Sequence, residues 1–277
     1  MYAGGANVVG RESKLATITH YGEKHLKFYA GDQALSPTYC PALFDEILHF
    51  HSHGQPEGHG CEFALDVGTG SGVVAALLAG HFRRVMAIDC DPEPLKRAQP
   101  KDNIEYRVAR AEALPVPDHS VDLIAVGMAL QWFDVPKFLQ EAKRALKPGG
   151  TLACFAYRSP CCPDYPSVTQ QVRLLACVTL RHFWDPRICH VEAGYRLYEM
   201  QRYFSKVKYV DSTDEKPWVT DTATSATLRR YCVQWPPYML WKRRHPNVKD
   251  CVEAMILPSP ETMLRLSWIA HLVLCKP

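Results

Sequence analysis

Long apolar runs are missing from this 277-residue sequence. The longest, residues 73–79, falls far short of the ~20 residues a membrane-spanning helix needs, so no membrane partner is expected. Residues 1–14 lack the apolar stretch of a secretory leader, so no secretory signal is expected. Cysteines in pairing patterns are missing as well. The eleven present are an odd number, scattered singly apart from Cys161 and Cys162, and no two are spaced to begin a zinc site. Reduced thiols in a cytoplasmic protein are expected. Charge of one sign is not in excess either: Lys+Arg 32 against Asp+Glu 29 leaves +3 and a pI of about 8.2. That balance is too mild for a nucleic-acid surface. No internal repeat or low-complexity tract occurs. What is present is a globular mix, 47% hydrophobic and 22% charged, long enough for one large domain or one domain with a cap.

Pro41 opens a helical pattern in which Leu43, Phe44, Ile47 and Leu48 are the apolar positions, and it stops in a polar Gly/Pro stretch at 51–60. From Cys61 onward the pattern alternates. Strands are expected at 63–67, 84–89, 104–109, 121–126 and 151–156, and helices at 73–79, 92–98 and 136–146. This alternation predicts an α/β fold with a doubly wound, mostly parallel sheet covered on both faces. The rhythm breaks after Tyr157. Pro160, Pro163 and Pro166 mark a loop, followed by a helix over 168–183 and a strand over 207–210. A helix over 222–241, interrupted at Pro236-Pro237, and a closing strand over 268–274 complete the pattern, with seven strands in all.

Asp66-Val67-Gly68-Thr69-Gly70-Ser71-Gly72 lies between an expected strand and an expected helix, where an open parallel sheet meets a nucleotide-like ligand. Glycines let the backbone turn sharply there and let a ligand approach without Cβ atoms in the way. A dinucleotide fingerprint beginning at Gly68 would place its third small residue at Val73, which resists close helix–strand packing. Here the third glycine comes one residue early. Asp66, two residues before the first glycine, suits a ligand with a cationic amino-acid end.

The segment resembles motif I of class I S-adenosylmethionine-dependent methyltransferases, and further pieces follow in that family's order. Asp89 ends the second strand, where the family's acid takes the ribose hydroxyls. Ala111-Glu112-Ala113-Leu114-Pro115 resembles the adenine-side segment. Val126-Gly127-Met128-Ala129-Leu130-Gln131-Trp132-Phe133 resembles the segment after the fourth strand, and Leu146-Lys147-Pro148-Gly149-Gly150 the turn before the fifth. The resemblance implies a Rossmann-like methyltransferase fold of seven strands with a helical cap. It implies S-adenosyl-L-methionine as cofactor and S-adenosyl-L-homocysteine as product. The cofactor would be bound by Asp66, Gly68, Gly70, Gly72, Asp89, Ala111, Glu112 and Met128. One structural domain is expected: residues 1–59 as an arm and helix forming part of the cap, 60–157 as the cofactor core, and 158–277 as cap helices plus the last strands.

Phe183-Trp184-Asp185-Pro186, Tyr195 and Trp235-Pro236-Pro237-Tyr238 resemble the cap of small-molecule methyltransferases similar to trans-aconitate methyltransferase, within the type 11 methyltransferase domain family. That branch usually shows Trp-Ser-x-Tyr where Pro236 stands. It also usually shows Tyr-x-x-(Phe/Tyr)-Arg-Pro where His25-Leu26-Lys27-Phe28-Tyr29-Ala30 stands. Both departures fall on substrate-facing parts.

Tyr21, Tyr29, Trp132, Trp184, Tyr195, Trp235 and Tyr238 are the candidate substrate-binding residues. No catalytic residue is singled out. His49, His51, His53 and His59 are metal-ligand types, but the glycines and proline around them fix no geometry, so a polar loop and no metal site is expected. Trp235, Tyr238 and Trp241 beside Lys242-Arg243-Arg244 have the makings of a base-stacking set; a solvated helix face is the reading adopted, with no nucleic-acid partner. The expected reaction is in-line methyl transfer to a small-molecule methyl acceptor, as carboxylate O-methylation or amine N-methylation, in an aromatic-lined pocket. Arg181 and Arg187 suit a carboxylate, while His182, Glu192 and Tyr195 suit an acceptor whose proton must be managed. A monomer is expected. The competing functions are a non-catalytic cofactor-binding regulatory module, a methyltransferase for protein or RNA, and a dinucleotide oxidoreductase, the last disfavoured by Val73.

Overall fold

The computed structural model describes residues 35, 37–53, 60–213 and 215–277. Five strands form a parallel core: β2 (Phe63–Val67), β3 (Arg84–Asp89), β4 (Ile104–Val108), β5 (Val121–Gly127) and β6 (Leu146–Cys161), in the order β4-β3-β2-β5-β6. β2 is buried along its whole length because both faces of the sheet are covered, which is why it reads as an unbroken apolar run. Successive residues still serve opposite faces: Ala64 packs with Leu43, Ile47 and Leu78, whereas Leu65 packs with Ile88, Phe138 and Leu139. The first group comes from the cap face, with helices α1 (Pro41–Ser52) and α2 (Val73–Leu78). The second comes from the opposite face, where α4 (Val135–Ala145) lies. In chain order the short α3 (Pro92–Leu95) falls between α2 and α4, three residues shorter than the expected 92–98.

The long strand β9 (Met263–Lys276) lies antiparallel against β6. Its other edge is shared. β7 (Lys206–Asp211) pairs with residues 271–276, and β8 (Val219–Thr224) with residues 263–268. β1 (Thr38–Tyr39) then pairs with β8. Among the described residues the sheet therefore has nine strands and is mixed, which corrects the seven-stranded expectation. The path β4-β3-β2-β5-β6-β9-β7 supplies seven strands, and β8 and β1 add two.

Three other expectations change. Residues 222–224 are strand rather than helix, because Thr222, Ala223 and Thr224 pair with Arg265, Leu264 and Met263. The helix that follows splits into α7 (Ser225–Val233), capped by the Thr224 hydroxyl accepting from the Thr227 amide, and α8 (Pro236–Arg244), whose two prolines occupy its first turn. Instead of one helix over 168–183, α5 (Pro166–Leu174) passes into a π turn at Leu175–Thr179 and a 3-10 turn at Arg181–Phe183, ahead of α6 (Ile188–Glu192). His51 belongs to α1 and not to the loop. It is only 2% exposed; Nε2 donates to the Gly60 carbonyl (2.7 Å) and Nδ1 accepts the Thr151 hydroxyl (3.0 Å), tying α1 to β6 and to the entry of β2.

These pairings extend the sheet beyond the carboxyl edge of the parallel strands. Pro160 lies beside Trp268, Trp268 beside Val219, and Thr220 beside Thr38. The result is a small antiparallel platform under the cap helices, next to the edge where open α/β sheets bind ligands. All eleven cysteines are unpaired. Among the described residues no helix is long and apolar enough to cross a membrane.

Candidate functional site

The glycine loop is fastened to the end of β3: the amides of Gly68 and Thr69 both donate to the Ile88 carbonyl, at 2.8 and 2.9 Å. Gly68, Gly70 and Gly72 have φ of +72°, +58° and +83°, the left-handed region that glycine enters freely. Their surroundings differ. A Cβ on Gly68 would lie 2.5 Å from the Ala129 Cβ, and one on Gly72 would lie 2.5 Å from the Tyr106 Oη. On Gly70 it would meet nothing within 4 Å among the described residues. Gly68 and Gly72 thus permit close packing, while Gly70 faces open space.

Asp66 is fully buried beneath this loop. Its Oδ2 accepts the Thr69 hydroxyl at 2.5 Å, and its Oδ1 has no hydrogen-bond partner among the described residues. Burial lifts its pKa from 3.8 to about 7; the Thr69 hydroxyl and the Ala75 amide oppose that rise, and Asp89 adds to it. At the end of β3, Asp89 is 6% exposed. Its Oδ2 accepts the Gly70 amide (2.9 Å) and its Oδ1 the Asp91 amide (3.0 Å). Burial also raises the Asp89 pKa, offset in part by those two amides. A carboxylate has about four acceptor positions, so each oxygen keeps one for a ligand.

The third side of the loop is closed from β4 and β5. Ala111 is buried, and Glu112 is tied to the segment after β5 by accepting the Asp134 amide at 2.8 Å, with Arg110 3.4 Å away. Met128 takes an unusual φ of +56°. Its amide donates to the Phe155 carbonyl (2.8 Å), and its Sδ accepts the Tyr157 amide (3.1 Å). The eight cofactor candidates therefore sit on one edge of the sheet.

The substrate candidates divide. Tyr21, Tyr29 and the 25–30 segment lie outside the described residues. Trp184 and Trp235 meet at 5.7 Å between ring centroids and belong to an aromatic series on the platform. From Tyr39 it runs to Tyr157 (6.2 Å), then Trp268 (6.2 Å), Tyr231 (6.5 Å) and Trp235 (5.8 Å). Tyr238 is at the rim, its hydroxyl donating to Asp250 (2.7 Å). Trp132 lies under the Arg187 guanidinium, 4.4 Å from the ring centroid, and Arg187 is held by a two-point bond to Asp185 at 2.9 and 2.8 Å. Tyr195 stands apart. It is fully buried on the opposite face, and its hydroxyl donates to the Gln131 Oε1 at 2.7 Å, a structural bond.

Tyr157, Tyr231 and Trp268 were not singled out in the sequence. Tyr157 carried a signal, since it directly follows the fifth expected strand; Trp268 read as an interior strand residue. His49 and His53 keep ring contact at 6.4 Å, His59 lies outside the described residues, and no group of three or more His, Cys, Asp or Glu residues is placed to hold a metal among those described. The unpaired Asp66 oxygen, the spare Asp89 acceptors and the open face of Gly70 fit a ligand with an ammonium, two hydroxyls and a need for close backbone approach. S-adenosylmethionine has these features.

Residues 65–154 match the methyltransferase domain family. A Dictyostelium discoideum protein assigned as a methyltransferase is 33% identical over 145 residues, 52% of this chain and 53% of its own length. The malonyl-[acyl-carrier protein] O-methyltransferase of Hahella chejuensis is 40% identical over 96 residues, 32% of this chain and 34% of its own. The chain thus spans about half the length, or less, of these curated relatives. A solved structure from Anaeromyxobacter dehalogenans, assigned as a type II methyltransferase, matches with a TM-score of 0.73 at 26% identity, over 87% of this chain and 98% of that one. Together these likenesses show a chain similar to methyltransferases over residues 65–154, on an α/β Rossmann-like fold.

Proposed function

We propose that this chain methylates a small molecule enclosed between the glycine-loop edge of the sheet and the cap, using S-adenosylmethionine. The observation that carries the reading is Asp66: a fully buried carboxylate with one oxygen unpaired among the described residues, under a loop whose central glycine faces open space among those same residues. When bound, the cofactor supplies a methyl group already activated on a sulfonium. Asp66 would hold its amino group, Asp89 its ribose hydroxyls, and Ala111, Glu112 and Met128 would flank the adenine. What remains for the chain is to fix the acceptor in line and exclude water. The platform aromatics suit both tasks, and their ring faces favour a neighbouring sulfonium.

Three features support a small acceptor over a macromolecule. The aromatic series is half-buried to buried, the net charge is only +3, and no basic groove is implied by that charge. A carboxylate acceptor is ionised at neutral pH and needs no base, which accords with a site where no catalytic base stands out. The Hahella relative is an O-methyltransferase, which supports oxygen as the methylated atom. Trp184 and Trp235, in ring contact, support the branch similar to trans-aconitate methyltransferase. Eleven unpaired cysteines fit a reducing, cytoplasmic setting.

Titration of the full chain with S-adenosylmethionine and, in parallel, NAD tests the cofactor assignment. Saturable binding of the first and none of the second is expected; the reverse would overturn it.

A further inference from the structure

The outer side of the cap keeps apolar side chains in solvent. Leu174, at the end of α5, and Val178, in the π turn that follows, are one turn apart and are 45% and 65% exposed. Ile256 is 78% exposed, and its amide donates to the Gln171 Oε1 at 3.4 Å, one turn before Leu174, so it joins the same stripe. The inner side of this turn is committed to the fold: Leu175 and Ala176 are buried, and the Ala176 carbonyl accepts the Trp184 Nε1–H at 2.9 Å. Aliphatic groups gathered on one face, unlike single ones scattered over a surface, mark a place that meets an apolar partner.

The charge beside this stripe has one sign. Residues 165–184 contain Arg173 and Arg181 and no Asp or Glu, and residues 222–249 contain six Lys and Arg and no Asp or Glu. The fold brings the two segments together, because the Phe183 ring meets the His245 ring at 5.9 Å and the Arg244 guanidinium at 5.6 Å. Arg173, Arg181, Arg243 and Lys249 are exposed, and none has an ion pair among the described residues. Of the acids in the turn that carries Ile256, Asp250 is committed to Tyr238 and Lys242, which leaves Glu253. A net charge of only +3 is therefore unevenly spread, with cations left free on this face.

We propose that this face of the cap docks on an anionic lipid surface. Leu174, Val178 and Ile256 enter the boundary between headgroups and acyl chains, and Arg173, Arg181 and Arg243 face the lipid phosphates. A face of this kind lies on a bilayer instead of crossing it, so it needs no spanning helix. Free cations beside bare aliphatics match both layers that such a surface presents, the charge outside and the hydrocarbon beneath. Single-stranded nucleic acid would need open rings to stack on, and the tryptophans among these cations, Trp235 and Trp241, are buried. The inference goes beyond methyl transfer and does not depend on it.

Co-sedimentation of the full chain with vesicles tests it. Vesicles of phosphatidylcholine alone are compared with vesicles in which a third of the lipid is phosphatidylglycerol. Saturable binding to the anionic vesicles is expected, weakened several-fold by high salt, with little binding to the neutral ones and no competition from free glycerol phosphate. The double variants Val178→Ser with Ile256→Ser, and Arg181→Gln with Arg243→Gln, should each lower the anionic-vesicle partition roughly tenfold or more. All four positions are exposed, so melting temperature should stay at the parental value and show that the fold is intact. Absence of binding to the anionic vesicles overturns the inference, as does undiminished binding by either folded variant. Competition by glycerol phosphate would assign the cations to a free phosphate instead. Binding of a single-stranded RNA homopolymer that the vesicles fail to displace would assign the face to nucleic acid, and either result overturns the lipid surface.

Discussion

Gly70→Ala separates ligand space from fold at a single methyl group. At φ +58° an alanine is strained, yet its Cβ would meet nothing within 4 Å among the described residues. The cost to the free protein is then the left-handed backbone alone, ~1–2 kcal/mol, or roughly 2–8 °C in Tm for a chain of this size. The same methyl group projects into the space assigned to the cofactor. Crowding of that kind costs ~1–3 kcal/mol, so affinity for S-adenosylhomocysteine should fall roughly 5- to 150-fold. Gly68→Ala is the counterpart. Its Cβ would collide with the Ala129 Cβ at 2.5 Å, an atom fixed to backbone, so the fold itself should suffer more than in Gly70→Ala. Calorimetric titration and thermal melting of both variants measure the two effects. A folded Gly70→Ala protein with parental affinity would refute the assignment of the open face of the loop to the cofactor.

The remaining predictions concern charge and buried bonds. Burial raises the Asp66 pKa above its unfolded value, to about 7, so its contribution to the stability of the free protein is full below about 3.8 and is lost as pH rises through about 7. Because a ligand ammonium favours the ionised form, S-adenosylhomocysteine affinity should climb as pH approaches 7 from below, with proton release visible by calorimetry in buffers of different ionisation heat. Asp66→Asn should abolish that dependence. Burial lowers the His51 pKa below 6.5, so its contribution holds above pH 6.5 and is lost as pH falls toward the folded value; a flat melting profile through that window would contradict the buried neutral imidazole. Tyr195→Phe leaves Gln131 Oε1 without its donor and should cost ~1–3 kcal/mol in denaturant melts, with cofactor affinity unchanged. No loss would contradict the structural role given to that hydroxyl.

The cofactor half of the molecule was legible because each of its elements is marked locally. Arg84–Asp89 and Phe63–Val67 are short apolar runs between sharp turn signals, and they occur with the expected bounds. The platform was not legible in this way. β8 is threonine-rich and only partly buried, and it is a strand because β9 pairs with it across the intervening residues 225–262. β9 is longer than its apolar stretch for the same reason: Met263 and Arg265 are exposed and are held in the strand by pairing with β8. Trp184 and Trp235 could be proposed from the resemblance of their segments. Trp268 and Tyr231 could not, since their proximity depends on this long-range pairing. Tyr195 shows the opposite case. The resemblance to a methyltransferase cap suggested a pocket wall, but only the tertiary fold shows its hydroxyl committed to Gln131.

Methyl transfer itself is the most direct measure of the central claim. The full chain, incubated with S-adenosylmethionine labelled at its methyl group and a whole-cell extract, should move label into the low-molecular-weight fraction as S-adenosylhomocysteine accumulates, and Gly70→Ala should suppress both together. Label appearing only in bulk protein or RNA would contradict the small-molecule account.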